Sequence, residues 1–106
     1  INKSNIINDL MKKIAKVDEI PSGKSKLVMV DDTPVAIFNI NGKIFAWDNR
    51  CPHRGASLSD GNISDSVIQC RYHLWKFDVN KACSISNPSI KVQTYKIEIN
   101  NGDIFI

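Results

Sequence analysis

Four residues of types that bind metals fall into two short pairs. Cys51 and His53 form a Cys-x-His pair, and Cys70 and His73 form a Cys-x-x-His pair, with 16 residues between His53 and Cys70. This interval is long enough for a turn and a returning strand, so each pair can direct a thiolate and an imidazole at the same point. Two cysteines with two histidines suit either a tetrahedral zinc ion or an iron–sulfur cluster. Residue types and spacing alone allow both.

Apolar and polar residues alternate with a period of two along most of the chain, which predicts β-strands. The predicted strands are 27–30, 35–40, 43–47, 66–69, 75–79, 95–100 and 103–106. The turn signals between them are Asp31-Asp32-Thr33-Pro34, Asn41-Gly42, Asn80-Lys81 and Asn101-Gly102. One strand leads into the first metal-binding pair, and two others enter and leave the second. Short strands at this spacing predict an antiparallel sandwich or small barrel.

The segments around the two pairs also resemble a known family. The run from Cys51 to Gly61 and the run from Cys70 to Asp78 are similar to the Rieske [2Fe–2S] domain, above all to its small ferredoxin form. The resemblance implies a [2Fe–2S] cluster in which Cys51 and Cys70 hold the inner iron, while His53 and His73 hold the outer iron. Leu74 stands where the family commonly has glycine.

The same resemblance implies an all-β fold, a Rieske-type antiparallel β-sandwich or barrel with a small inserted cluster-binding lobe. The resemblance extends over about residues 12–106, and the lobe is expected at about 49–79. Residues 1–11 are expected to be an N-terminal extension, partly foreign to the native protein or forming a short helix. That helix would use the apolar residues Ile6, Ile7, Leu10 and Ile14.

Three residues are expected to shape the surroundings of the cluster. Pro52 would stiffen the first ligand loop, and Gly55 would let the backbone approach the cluster. The family has a proline-containing loop over another side of the cluster, and the counterpart here is the segment 85–89 with Pro88.

Other positions imply a low reduction potential. High-potential members of the family have a disulfide between the loops, but Ala56 and Tyr72 occupy those positions here. Trp75 and Phe77 stand where those members place hydroxyl groups that donate hydrogen bonds to sulfur. Because such donors stabilise the reduced cluster, their loss predicts a negative midpoint potential.

All three arginines adjoin a candidate ligand: Arg50, Arg54 and Arg71. One interpretation is that some of them pair internally, with Asp48, Asp60 or Asp78. The other is a basic collar that steers an acidic partner towards the histidines.

Composition limits the partners and the compartment. The net charge is +3, and no basic stripe with interleaved aromatic residues is present, so we expect no nucleic-acid partner. No apolar run is long enough to cross a bilayer, so we expect no membrane partner. If two of the three cysteines are ligands, Cys83 is left over as an unreactive thiol, which favours the reducing cytoplasm. The alternative is that Cys83 is a third ligand or a redox switch.

Both histidines of the chain belong to the metal-binding pairs, so none remains for the mononuclear iron of an oxygenase. No Gly-x-Gly-x-x-Gly segment for a dinucleotide is present. We therefore predict that the chain is not an enzyme but a one-electron carrier, which passes electrons from a reductase to a terminal oxygenase or similar acceptor. The alternatives are a small subunit of a larger reductase, such as assimilatory nitrite reductase, and a structural zinc module.

Overall fold

The computed structural model describes residues 11–52, 55–71 and 74–106. The apolar N-terminal residues up to Leu10, and with them most of the suggested helix, lie outside the described residues. Ile14 lies in a strand, so a helix extending to this residue is not formed. In the described part of the chain, no helix is long and apolar enough to cross a membrane.

The described residues form eleven strands in three antiparallel sheets, which confirms the all-β class. The strands are β1 (Lys13–Lys16), β2 (Ser25–Val30), β3 (Thr33–Ile40), β4 (Lys43–Asp48), β5 (Asn62–Ser64), β6 (Val67–Gln69), β7 (Lys76–Asp78), β8 (Cys83–Ser84), β9 (Thr94–Tyr95), β10 (Glu98–Asn100) and β11 (Asp103–Phe105). Their order is β1-β11-β10 in the first sheet, β2-β3-β4-β9 in the second and β5-β6-β7-β8 in the third. The third sheet is thus inserted in the chain between two neighbouring strands of the second.

Both Asn-Gly turns form as predicted. At Asn41-Gly42 and Asn101-Gly102 both residues have positive φ, which is the backbone of a two-residue turn whose twist matches the flanking strands. Ile40 pairs with Lys43 across the first turn, and Asn100 pairs with Asp103 across the second. These turns set the register of β3 with β4 and of β10 with β11.

Two details differ from the sequence prediction. The turn after β2 consists of Asp31 and Asp32 alone, because Pro34 is already in β3 and lies opposite Met29. The strand predicted over 95–100 is divided, because Tyr95 pairs with Ala46 in the second sheet whereas Glu98 pairs with Phe105 in the first. The chain crosses from one sheet to the other between these residues.

The central strand β3 of the second sheet is buried on both faces, and its alternate residues enter different apolar clusters. Val35 and Ile37 pack with residues of β1 and β11. Ala36 and Phe38 pack with residues of the third sheet and of the segments that contain Cys51 and Cys70. Since side chains along a strand point alternately to opposite faces, one strand joins the two halves of the core.

Aromatic rings connect the second sheet to the third. Trp47 of β4 packs edge-on against Phe38, with ring centroids 5.5 Å apart, and against Phe77 of β7 at 6.5 Å. Phe77 in turn lies 6.5 Å from the ring of Trp75. Edge-to-face pairs at such distances add to the stability gained by burial, so this row fixes how the third sheet sits on the second.

Gly61 allows the chain to enter the third sheet. A Cβ at this position would lie 2.5 Å from the backbone oxygen of Gln69 and 3.1 Å from that of Leu58. Gln69 is the last residue of β6 and immediately precedes Cys70. A side chain at position 61 therefore presses on the strand that carries the second candidate ligand.

We expect Gly61→Ala to lower the free energy of unfolding by about 1–3 kcal/mol, the usual cost of overpacking against atoms that cannot move away. Denaturant unfolding followed by circular dichroism measures this difference. Ser64→Ala, at an exposed position of β5, is the control and should have little effect. An equal effect of both substitutions would contradict the close approach at Gly61.

Candidate metal centre

The two candidate ligand loops have the same hydrogen bonds. In the first loop, the Cys51 N–H donates to the Ala56 oxygen at 2.8 Å and the Gly55 N–H donates to the Cys51 oxygen at 2.7 Å. In the second loop, the Cys70 N–H donates to the Trp75 oxygen at 2.7 Å and the Leu74 N–H donates to the Cys70 oxygen at 3.1 Å. Each cysteine therefore uses both of its backbone groups to close its own loop.

The closing residue of each loop, four positions after the cysteine, has a left-handed backbone. Gly55 has φ +75° and Leu74 has φ +58°. Glycine adopts this conformation without strain, whereas a residue with a Cβ loses about 1–2 kcal/mol. The loop geometry explains why glycine suits this position, and this chain departs from that rule in the second loop alone. The expected approach of the Gly55 backbone to a cluster stays a prediction.

Both cysteine side chains enter the same buried cluster. Cys51 is 3% exposed and Cys70 is fully buried, and both belong to the apolar cluster that contains Phe77. Trp75 is partly buried and packs against this cluster. The three cysteines of the chain are buried thiols rather than disulfides. The structure thus places both predicted sulfur ligands in one apolar cluster, while His53 and His73 lie outside the described residues.

An ion pair between Asp48 and Arg50 lies at the entry to the first loop. The carboxylate of Asp48, at the end of β4, accepts hydrogen bonds from Arg50 Nε at 2.9 Å, Arg50 Nη2 at 2.6 Å and the Arg50 backbone N–H at 2.9 Å. The hydrogen bond from the Arg50 side chain is the main cause that lowers the pKa of Asp48. Tyr95 also donates to Asp48, and burial is the main cause that raises the pKa of its hydroxyl.

Asn49 fastens the exit of the first loop. Its side chain is buried, donates to Ser57 Oγ at 2.9 Å and accepts the Ser59 N–H at 2.8 Å. Its backbone oxygen accepts the Leu58 N–H at 2.7 Å, and its N–H donates to the Pro34 oxygen at 2.8 Å. The sequence analysis did not single out Asn49, because a single asparagine carries no signal of the partners it will meet eight to ten residues later.

The remaining predicted site residues are spread over the surface around the loops. Pro52 is exposed in the turn of the first loop, and Arg71 is exposed in the second. Arg50 forms one of the internal pairs considered from the sequence, with its side chain still 60% exposed. Arg54 and Tyr72 lie outside the described residues.

The segment around Pro88 is an exposed, compact turn. Ser84 Oγ accepts the Asn87 N–H at 3.3 Å, and the Ser84 N–H donates to the Ile90 oxygen at 2.9 Å. The Ile85 N–H donates to the Lys76 oxygen at 2.9 Å, which attaches the turn to β7. Its role as a cover over the cluster stays a prediction.

The depressed pKa of Asp48 gives a pH-dependent contribution to stability. We expect Asp48→Asn to lower the unfolding temperature at pH 7, because the carboxylate that binds Arg50 is lost. The wild-type advantage should persist from pH 8 down to the ordinary aspartate value of 3.8 and shrink below it, as the carboxylate is protonated in the folded protein. Thermal unfolding across this pH range measures both parts.

Asp60→Asn, which changes an exposed carboxylate near the first loop, is the control for the general effect of removing a negative charge. A difference between the wild type and Asp48→Asn that does not change with pH would contradict the ion-pair explanation.

Comparison with known proteins agrees with this geometry. The family model of the Rieske [2Fe-2S] domain matches residues 11–96. The biphenyl dioxygenase ferredoxin subunit of Pseudomonas sp. (strain KKS102) is 36% identical over 96 residues, covering 89% of this chain and 88% of the relative. The ferredoxin component of the naphthalene 1,2-dioxygenase/salicylate 5-hydroxylase systems of Ralstonia sp. is 35% identical over 93 residues, covering 87% and 89%.

A solved structure extends the likeness to the fold. The Sphingomonas yanoikuyae B1 ferredoxin superposes with a TM-score of 0.82 at 28% identity, covering 91% of this chain and 96% of that one. The family match over most of the chain, the close relatives and the paired cysteine loops agree. The chain belongs to the Rieske [2Fe–2S] family.

Proposed function

We propose that this protein is a one-electron carrier whose [2Fe–2S] cluster takes electrons from a reductase and passes them to a terminal oxygenase or a similar acceptor. Cys51 and Cys70 are the proposed ligands of the inner iron, and His53 and His73 those of the outer iron. The two relatives described above are ferredoxin components of dioxygenase systems, and this chain covers nearly their whole length. The protein is accordingly a component of an enzyme system and not itself the enzyme.

One observation carries the proposal: two loops with matching hydrogen bonds deliver two thiols to one apolar cluster. This arrangement fits the sulfur half of a Rieske site, in which two cysteines bind the same iron. When bound, the cluster supplies a centre that gains and loses one electron. The residues around it hold the thiols in fixed positions and exclude water from them, because the surrounding cluster includes Leu58, Ile68 and Phe77.

The two alternatives are less well supported. A structural zinc module needs the same four ligands, but the family to which the chain belongs binds iron and sulfide. A small subunit of a nitrite reductase shares the fold, yet the relatives with the coverage given above are ferredoxin components.

The other site residues have supporting roles in this proposal. We take residues 12–106 as the Rieske domain and about 49–79 as its cluster-binding lobe, and we place the protein in the cytoplasm, where ligand cysteines stay reduced. The residues proposed to line the cluster are Pro52, Gly55, Tyr72, Trp75 and Pro88. The residues proposed to steer an acidic partner are Arg50, Arg54 and Arg71, of which Arg50 shares its charge with Asp48.

Metal analysis of the purified protein tests the cofactor. We expect about two iron and two sulfide per chain, and a rhombic electron paramagnetic resonance signal after reduction. Cys70→Ser should abolish the signal, because it removes a thiolate from the inner iron. Cys83→Ala removes a buried thiol that is not a proposed ligand and should keep the signal. Stoichiometric zinc without iron would exclude the electron-carrier function.

We expect a midpoint potential below zero, in the lower part of the roughly −150 to +300 mV that Rieske centres span. Phe77 is fully buried in the same apolar cluster as the cysteines and has no hydroxyl, so it cannot donate a hydrogen bond to sulfur. Phe77→Tyr should raise the potential in a redox titration. A wild-type value above about +100 mV would contradict this explanation.

A further inference from the structure

Leu74 combines two features that are each unfavourable for folding. The residue is 62% exposed, about as much as Met29 and more than the other exposed large apolar residues that the structure describes. Its backbone is left-handed, with φ +58°, a conformation that is strained for a residue with a branched side chain. An exposed leucine gains little from burial, so the side chain does not compensate for the strain.

The first loop shows that the fold does not require this leucine. Gly55 occupies the corresponding position, with the same N–H bond to the cysteine four residues earlier and without strain. Glycine at position 74 would remove both the strain and the exposed apolar surface. Strained residues that the fold does not need are concentrated at functional sites.

The loop also holds the leucine in a fixed position. The Leu74 N–H donates to the Cys70 oxygen at 3.1 Å, and its own oxygen accepts a hydrogen bond from Gln69 Nε2 at 3.2 Å. The side chain therefore projects from a backbone that is bonded on both sides of it. The backbone at Leu74 therefore has little conformational freedom left to lose when another molecule covers the side chain.

The charged residues nearest to Leu74 in sequence are basic. Arg71 and Lys76 are both exposed, one on either side of it in sequence, and residues 70–77 contain no acidic residue. An apolar side chain with positive charges on either side complements an apolar depression with carboxylates at its border. Leu74 also directly follows His73, a proposed ligand of the outer iron.

We propose that Leu74 is the apolar anchor through which the electron-accepting oxygenase docks, its side chain entering a depression that is bordered by acidic residues. This inference rests on the proposed function, since it names the contact that the acceptor makes. Because Leu74 directly follows His73, docking at Leu74 places the acceptor close in the chain to a proposed ligand of the outer iron, which shortens the path for the electron. The Leu74 side chain positions the partner, while its backbone N–H closes the ligand loop and is kept by any substitution other than proline.

The test compares Leu74→Gly with the wild type as electron donors to the oxygenase components of the biphenyl and naphthalene dioxygenase systems. We expect Leu74→Gly to raise the KM for the carrier about tenfold, since a leucine buried in the complex is lost. Its kcat, its midpoint potential and its oxidation by ferricyanide should stay unchanged. Its unfolding temperature should rise, because the strain is relieved. Leu74→Met, of similar volume, should restore the KM.

Two control variants separate docking from general effects. Asn101→Gly relieves a left-handed backbone of φ +53° at the exposed turn between β10 and β11, and it should leave the KM unchanged. Ile99→Ala removes another exposed apolar side chain, on β10, and should leave the KM unchanged.

The outcomes distinguish the two proposals. If the wild type carries its cluster but cannot gain and lose one electron reversibly, the proposed function is wrong. If it does so but reduces neither oxygenase, the docking proposal is wrong and the carrier function stands. If the wild type reduces an oxygenase and Leu74→Gly does so with an unchanged KM, the docking role of Leu74 is wrong and the carrier function stands. A KM that rises for Leu74→Gly and also for Ile99→Ala contradicts a specific anchor as well.

Discussion

The closing of each ligand loop on its own cysteine is the constraint on which the site depends. In the proposed site the two thiols lie in the interior, while the chain on either side of each cysteine has to turn back within a few residues. The bonds from Gly55 and Leu74 to the preceding cysteine oxygens meet both requirements. They fix the cysteine backbone and leave its side chain in the apolar cluster. The rest of the fold serves to bring two such loops together.

The second sheet brings the two loops together because its central strand β3 packs into the core with both of its faces. β3 directs alternate residues into the cluster with the first sheet and into the cluster with the cysteines. The row of rings from Phe38 through Trp47 to Phe77 continues this contact into the third sheet. The loops are thus held between two sheets whose relative position is set by packing, and a carrier that must change little between oxidation states benefits from such a rigid support.

Much of this arrangement could be predicted from the sequence, because its signals are local. Alternation identified the longer strands, and the Asn-Gly pairs identified two turns. β1, β5 and β8 were not predicted. Among the described residues β1 pairs only with β11, far along the chain, and β5 (Asn62–Ser64) and β8 (Cys83–Ser84) hold too few apolar residues to show alternation. The importance of Asn49 and the pairing of Arg50 with Asp48 depend on tertiary contacts in the same way. The sequence marked Leu74 as a departure from the family, but only the backbone shows that the position is left-handed.

The chain enters and leaves the segment that contains the third sheet at neighbouring points of the second sheet. β4 leads out to it and β9 returns from it, and these strands are neighbours, with Trp47 opposite Thr94 and the Asp48 N–H bonded to the Gln93 oxygen at 2.8 Å. An insertion whose two ends leave a scaffold side by side can be exchanged without disturbing the topology around it. The segment between these strands therefore has the form of a transplantable cassette. Chimaeras that replace this segment with the corresponding segment of another carrier would alter redox properties and partner choice together, while keeping the first and second sheets.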